Sequence, residues 1–446
     1  MSKTCTIQLF AEGVWHDVAT VTLFGQERAG WRAKTYSGYA VDWAVEHAGA
    51  RDAYALSCQL PVGLAAFEAA TWPVFLIDML PQGFGREELL RRLNLPPTAT
   101  EEADWRLLNA GAANPIGNLR VKEAAQWLGQ NTGALRGFTD DQVAARGEDF
   151  AEYLASHGLF VAGSSGIQGE WPKMLLTRAE DGLLYLDHTL PDERAREHYI
   201  VKFGRGTNAD LARILRHEAP YMALANQLGL RVHAPLALKG RALFIRRFDR
   251  VLDGKAVVRL AQESIATLTG MPGFGAVPSH EQVCMEIMAR CTDPETELLE
   301  YLKRDVANIA LRNTDNHARN TAVQRDFKTG VRLTPLYDFA PMYMHPDGIA
   351  RRIRWQRGDA GNPDWQQVID CVCELAQQAQ KTSGRRGRRK RGPVVRREVL
   401  VNGLRAMGPV LEHIAQHGTE AGLEEAVLEH LRPGILAQAH RLLALD

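Results

Sequence analysis

Asn313-Thr314-Asp315-Asn316-His317-Ala318-Arg319-Asn320, with Leu333-Thr334-Pro335-Leu336-Tyr337-Asp338-Phe339-Ala340-Pro341 a short way downstream, carries the polar spacing that decides how this chain folds. Five of the first eight residues are Asn, Asp or His. Such a density is costly to bury without partners and typical of a functional loop. The loop leaves a segment with Leu302, Val306 and Ile309 at helical spacing. Between it and Asp338, Thr321-Ala322-Val323 and Val331-Arg332-Leu333 flank Lys328-Thr329-Gly330, which predicts a short hairpin. Asn and Asp also favour turns and helix caps, and an isolated pair at this spacing is a weak signal. The surrounding sequence therefore has to supply the rest.

Asp315 and Asn320 stand in a D-x-x-x-x-N pattern, the spacing that a kinase catalytic loop uses for its base and a metal-binding amide. Asp338 lies 18 positions beyond Asn320, where kinases place a second metal-binding carboxylate after a hairpin. Carboxylate and amide oxygens are the hard ligands that Mg²⁺ prefers. Upstream, Lys202 interrupts the apolar run Tyr199-Ile200-Val201-Lys202-Phe203. Glu218 falls on the apolar stripe Leu211, Ile214, Leu215, Met222 and Ala225 of a helix predicted over 209–229. A buried lone charge is expensive, so either these two pair, as in kinases, or Glu218 sits at the edge of its stripe and Lys202 on an exposed strand face. Earlier still, Gly163-Ser164-Ser165-Gly166-Ile167-Gln168-Gly169 offers backbone N–H groups and hydroxyls that suit phosphates. It departs from the kinase glycine pattern and by itself reads equally as a surface turn. Glycine loop, Lys, Glu, D-x-x-x-x-N and Asp occur in kinase order.

The remaining composition is that of a folded protein. Hydrophobic residues are 45% and charged residues 24% of the chain, and 53 basic side chains balance 53 acidic ones. Wholesale disorder and nucleic-acid coating through net charge are excluded. The length predicts two to three domains. Six cysteines without a C-x-x-C pair point to reduced thiols. The start lacks a signal-peptide pattern, and no apolar run is long enough to span a bilayer, so a cytoplasmic protein without membrane contact is expected.

The patterning predicts a hairpin over 5–24 and helices over 84–93, 280–291, 296–312, 364–380, 398–416 and near 435–445. Nine of the 17 residues over 381–397 are basic and none acidic, which reads as a mobile basic linker or as a DNA-phosphate contact. The expected fold class is α+β: a protein-kinase-like core with an N-terminal α/β subdomain and a mostly helical C-terminal lobe. Its expected divisions are 1–135, a nucleotide-binding lobe over 136–250, and a helical lobe over 251–446 holding the catalytic loop and the basic linker.

The Ser-Ser loop ending in Trp171-Pro172-Lys173, Ile200-Val201-Lys202-Phe203, Arg246-Arg247-Phe248-Asp249-Arg250, the 313–320 loop and Pro335-Leu336-Tyr337-Asp338 together resemble the HipA-like serine/threonine kinases. These are toxins of bacterial type II toxin–antitoxin modules. Phe75-Leu76-Ile77-Asp78-Met79-Leu80-Pro81-Gln82-Gly83 extends the resemblance to the N-terminal region, so that it covers about 5–345. The resemblance implies Asp315 as catalytic base, Asn320 and Asp338 as Mg²⁺ ligands, and His317 as a structural member of the catalytic loop. It implies ATP contacts from Lys202, supported by Glu218, and from Ser164, Ser165, Gly166, Gly169 and Lys173. Ser164 and Ser165 are both candidates for a self-inactivating autophosphorylation. It also implies a protein substrate such as an aminoacyl-tRNA synthetase, an antitoxin with a helix-turn-helix, and DNA contact through that complex or through 381–397. Glu170 before Trp171-Pro172, and the length of the basic run, depart from the family. Two alternatives stay open, a DNA-associated transcriptional co-regulator and a small-molecule kinase of aminoglycoside-phosphotransferase type.

Overall fold

In the computed structural model, residues 3–130, 133–146, 150, 153–154, 173–204, 208–328, 330–384 and 394–446 are described. They mix sheet and helix, as the α+β expectation requires, and form two compact units. The first comprises 1–206, 236–275 and 324–328, and the second 207–235, 276–323 and 329–446.

The first unit is built on two antiparallel five-stranded sheets. Strands β1 (Thr4–Ala11), β2 (Val14–Phe24), β3 (Lys34–Tyr39), β4 (Phe67–Ala69) and β5 (Leu119–Val121) assemble in the order β4-β3-β2-β1-β5. The expected hairpin is β1 and β2, turning at Glu12-Gly13. Gly13 has φ +83°, a left-handed conformation that glycine adopts without a Cβ clash. Strands β6 (Lys173–Ala179), β7 (Leu184–Leu186), β8 (Ala195–Phe203), β9 (Ala237–Lys239) and β10 (Ala242–Arg246) form the second sheet in the order β7-β6-β8-β10-β9. Inward residues of both sheets, among them Ile7, Leu9, Val21, Leu176, Val201 and Phe244, share one apolar core with Trp72, Trp105 and Leu108. Asp78 accepts hydrogen bonds from Ser264 Oγ (2.9 Å) and Thr267 Oγ1 (2.6 Å), which fastens the N-terminal Phe75–Gly83 motif to a turn 186 residues later.

A buried ionic network completes this unit. Asp249 accepts from Arg247 Nε and Nη2 (2.9 and 2.7 Å), Arg250 Nη1 (2.6 Å) and the Gly117 backbone N–H (2.9 Å). Asp187 pairs with His198 Nδ1 (2.8 Å) and Arg247 Nη1 (3.3 Å), and accepts from Asn114 Nδ2 (2.6 Å). Side-chain exposure is 0% at Arg247, 1% at Arg250, 2% at Asp249 and 4% at Asp187. Burial pushes the Asp187 carboxyl up, yet the charges of Arg247, His198 and Arg250 hold it well below the carboxylate range. Asp249 is likewise held low, by Arg247 and Arg250. The Arg246–Arg250 motif is thus a structural clamp.

The second unit is helical. The Ala209–Gln227 helix is capped by the Asn208 side chain, which accepts from the N–H groups of Asp210 and Leu211. The Asp293 side chain caps Pro294–Ala310 in the same way through Thr296 N–H. The helices Trp365–Gly384, Arg397–Arg405, Met407–His417 and Glu425–Leu443 follow. The Arg397–Arg405 helix crosses close to Leu299: a Cβ added at Gly403 would lie 2.5 Å from Leu299 Cδ1.

Three expectations need correction here. The helix over 398–416 is two helices broken at Ala406, because Pro409 has no N–H for the Arg405 carbonyl and its ring crowds that carbonyl. The last helix starts at Glu425, ten residues earlier than expected, and runs through Pro433. Val427, Leu428, Leu431, Ile435, Ala439 and Leu442 line one buried stripe across that proline, and packing of that stripe outweighs one missing hydrogen bond. The linker is also shorter than 381–397. Lys381 belongs to the preceding helix, Arg396 pairs with Glu295 (2.5 Å), and Arg397 pairs with Asp370 (2.9 Å) at the next helix start. Residues 385–393 lie outside the described set.

Candidate functional site

In the second unit the polar loop leaves the Pro294–Ala310 helix through Arg312, whose φ of +52° turns the chain out of helical geometry. Asn320 donates from Nδ2 to the Asp315 carbonyl (2.8 Å), closing the D-x-x-x-x-N segment on itself. That bond turns Oδ1 of Asn320 the other way, as an oxygen acceptor. The His317 Nε2 atom lies 3.8 Å from Asp315 Oδ1, and His317 Nδ1 accepts the Arg319 backbone N–H (3.2 Å). Tyr337 donates its hydroxyl to the Arg319 carbonyl (2.8 Å), which ties the loop to the segment carrying Asp338. Asp338 has φ +51°, a strained conformation that Asp tolerates better than most residues. Burial lowers the His317 pKa; Asp315 and Asp338 oppose the shift, and Arg319 and Arg352 add to it. Asp315, His317, Asn320 and Asp338 are therefore brought together.

Asn316, to which sequence reading assigns no role, is the anchor of the loop. Its Oδ1 accepts the N–H groups of Arg352 (2.7 Å) and Ile353 (3.2 Å), and its Nδ2 donates to the Ile353 carbonyl (2.8 Å). A buried Asn meeting both donors and an acceptor of the 352–353 backbone pins that segment to the loop. Only its position within a polar loop could have signalled this, and Asn is equally common in turns.

In the first unit Lys173 and Lys202 stand directly opposite each other on β6 and β8. Each is only 5% exposed. Their side chains share the face that carries Thr177 and His198, the next-but-one opposed pair, joined by a 2.9 Å hydrogen bond. Glu218, in the second unit, is 5% exposed. Both the exposed-face alternative for Lys202 and the stripe-edge alternative for Glu218 are thereby removed. Ser164, Ser165, Gly166 and Gly169 lie outside the described residues.

Asn320 Oδ1 and the Asp338 carboxylate are oxygen donors of the kind Mg²⁺ takes, and buried lysines suit phosphates. Among the described residues no three His, Cys, Asp or Glu side chains form a metal cluster of their own. No described helix is long and apolar enough to cross a membrane.

Comparison with known proteins adds the family. The HipA-like C-terminal domain model matches residues 165–389, and the HipA N-terminal domain model matches residues 21–122. A stretch of 140 residues is 31% identical to the protein named "Putative kinase Y4mE" of Sinorhizobium fredii, covering 29% of this chain and 33% of that protein. The match thus spans about a third of that relative's length. Among solved structures, the Shewanella oneidensis toxin–antitoxin complex of HipA, HipB and operator DNA aligns over 99% of this chain and 98% of that one. Its TM-score is 0.63 at 18% identity, which establishes likeness of fold. The Helicobacter pylori proinflammatory kinase CtkA aligns over 56% of this chain and 90% of its own, with 15% identity and a TM-score of 0.33, too low to bear on the argument.

Proposed function

This chain belongs to the HipA-like family, and we propose that it is an ATP- and Mg²⁺-dependent protein serine/threonine kinase acting as the toxin of a type II toxin–antitoxin module. The observation that carries the proposal is the closed Asp315–Asn320 loop tied by Tyr337 to the segment of Asp338. Asp315 orients the acceptor hydroxyl and takes its proton. Asn320 and Asp338 hold Mg²⁺, which when bound offsets the charge of the ATP phosphates. Lys173 and Lys202 contact those phosphates, and Glu218 supports Lys202. His317 shapes the loop: its Nδ1 holds the Arg319 backbone. Growth inhibition follows if the acceptor is a translation component such as an aminoacyl-tRNA synthetase. The solved relative's complex with HipB and operator DNA supports an antitoxin partner and DNA contact through it.

The test is transfer of labelled phosphate from ATP by the purified protein, with and without Mg²⁺, followed by mass spectrometry. Phosphate on Ser164 or Ser165 is the expected product of self-reaction. It adds about −1.5 to −2 charges where ATP phosphates must bind. Lys202→Ala should weaken ATP binding by about tenfold or more, and Glu218→Ala less. Unaltered nucleotide affinity in Lys202→Ala would remove lysine from the site.

Asn316 is a positioning residue in this scheme. Asn316→Ala breaks three hydrogen bonds and lets the base drift, so kcat should fall about tenfold or more with the KM for ATP nearly constant. Asn316→Asp keeps both accepted bonds and should recover part of kcat. Equal kcat in wild type and Asn316→Ala would show that the loop holds its place unaided.

A further inference from the structure

His280 opens the helix His280–Arg290 in the second unit and is buried. A buried histidine is ordinary where both ring nitrogens find partners, and here the partners also fix which nitrogen carries the proton. Arg351 Nη2 lies 3.1 Å from His280 Nε2. A guanidinium can only donate, so Nε2 accepts. The proton of the neutral ring therefore sits on Nδ1, 2.8 Å from the Tyr301 hydroxyl. Burial lowers the His280 pKa; Asp305, Asp359 and Glu281 oppose the shift, and Arg351 adds to it.

The same residue meets the 351–355 segment at two further points. Its ring stacks on Trp355, with centres 4.6 Å apart and planes 21° from parallel. Its backbone N–H donates to the Arg354 carbonyl (3.1 Å). Arg351 in turn spans Asp305 (Nη2, 3.0 Å) and Asp359 (Nη1, 3.0 Å). Asp359 accepts the Trp355 N–H (3.0 Å), and Asp305 accepts Trp355 Nε1 (2.8 Å). The residues that follow Arg351, namely Arg352 and Ile353, are those whose N–H groups Asn316 accepts. A short run of bonds thus leads from His280 Nε2 to the neighbour of Asp315.

We propose that His280 is a positioning residue for phosphoryl transfer: while uncharged it accepts from Arg351 and so holds the 352–353 backbone that pins Asn316. This rests on the kinase reading above and adds a control on that same site. Protonation gives Nε2 a hydrogen that faces the Arg351 donor, and two donors cannot share the bond. Arg351 then leaves Nε2, and its bridge from Asp305 to Asp359 loosens. The charged groups facing the ring are Asp305 from the Pro294–Ala310 helix, Arg351 and Asp359 from the following segment, and Glu281 from its own helix. Tyr301, Cys284 and Cys371 of the packed helix Trp365–Gly384 are all raised by burial and stay neutral. The sign is that of a histidine depressed in the folded state. Its contribution is complete above the unfolded value of about 6.5 and is lost as pH falls through the lower folded value.

Self-phosphorylation with labelled Mg-ATP is followed from about pH 5 to about pH 8 in wild type, His280→Gln and His280→Phe, with circular dichroism in parallel. Gln keeps an acceptor for Arg351 and cannot titrate, whereas Phe keeps the stack on Trp355 and loses the acceptor. Amide exchange at Arg352 and Ile353, normalised for its intrinsic pH dependence, reads the pin directly. His280→Phe should lower the rate at saturating ATP about tenfold at neutral pH, with the KM for ATP nearly constant. His280→Gln should recover most of that rate and show a smaller acid fall than wild type. His317 is present in all three proteins, so the difference between their profiles belongs to His280. Exchange at 352 and 353 should quicken about tenfold in His280→Phe, and in wild type at acid pH. A wild-type rate in His280→Phe, or the same acid fall in His280→Gln as in wild type, overturns the proposal. Should His280→Phe fail to fold, the His280→Gln profile decides alone. Absence of ATP binding and self-phosphorylation in wild type would reject the kinase reading instead. The pin is then judged by exchange: faster in His280→Phe and restored in His280→Gln supports it, and equal rates in all three proteins reject it.

Discussion

Replacing Asp315 with alanine should lower phosphoryl transfer by a factor of about 10²–10⁴, the usual contribution of a general base, while the protein remains folded. The side chain is 23% exposed, its ion-pair contact is His317 at 3.8 Å, and no core volume is lost. Retention of wild-type activity by purified Asp315→Ala, shown to be folded by circular dichroism, would end the assignment. Asp338 needs a different substitution. Its φ of +51° makes alanine there cost about 1 kcal/mol of backbone strain in addition to the lost charge. Asp338→Asn accepts that conformation, removes only the negative charge, and should give an equally inactive enzyme of nearly wild-type stability.

The second large effect is on stability. Asp249→Ala leaves Arg247 and Arg250 buried without their main carboxylate, and should destabilise the first unit by about 3–5 kcal/mol in urea denaturation, the cost of breaking a buried pair from one side. The pH dependence has a definite sign. Asp187 and Asp249 have folded-state pKa values depressed below the unfolded one of about 3.9. Their contribution is therefore complete above about pH 4 and is lost as pH falls further through the folded values. Asp249→Ala should flatten that acid limb, and a variant as stable as wild type at pH 7 would show that the network is not needed for folding.

The loop chemistry was open to reading from the chain alone because it is local. Asp315 and Asn320 are five positions apart, a hydrogen bond joins them within one loop, and Asp338 follows by a short excursion. Strands and helices with clean periodicity, such as Thr4–Ala11, Val14–Phe24 and Ala209–Gln227, were equally plain. Burial of Lys202 and Glu218 was only one of two possibilities until packing decided it, since periodicity places a residue on a face without saying what covers the face. The opposition of Lys173 to Lys202, 29 positions apart, depends on the register of two strands, and register is a property of the pairing.

Other features belong to the tertiary structure by their nature. The Glu425–Leu443 helix passes through Pro433 because a continuous buried stripe outweighs the local penalty, and local rules contain only the penalty. Asn316 meets Arg352 and Ile353 at sequence separations of 36 and 37, and Asp249 meets Gly117 at a separation of 132. By itself the sequence determined the class of fold, the family and the residues with chemistry to offer, because those follow from composition, period and short spacing. Which of these residues are buried and which segment holds the loop were decided only when distant segments closed on one another, since hydrogen bonds and desolvation act across space and leave no mark at fixed intervals along the chain.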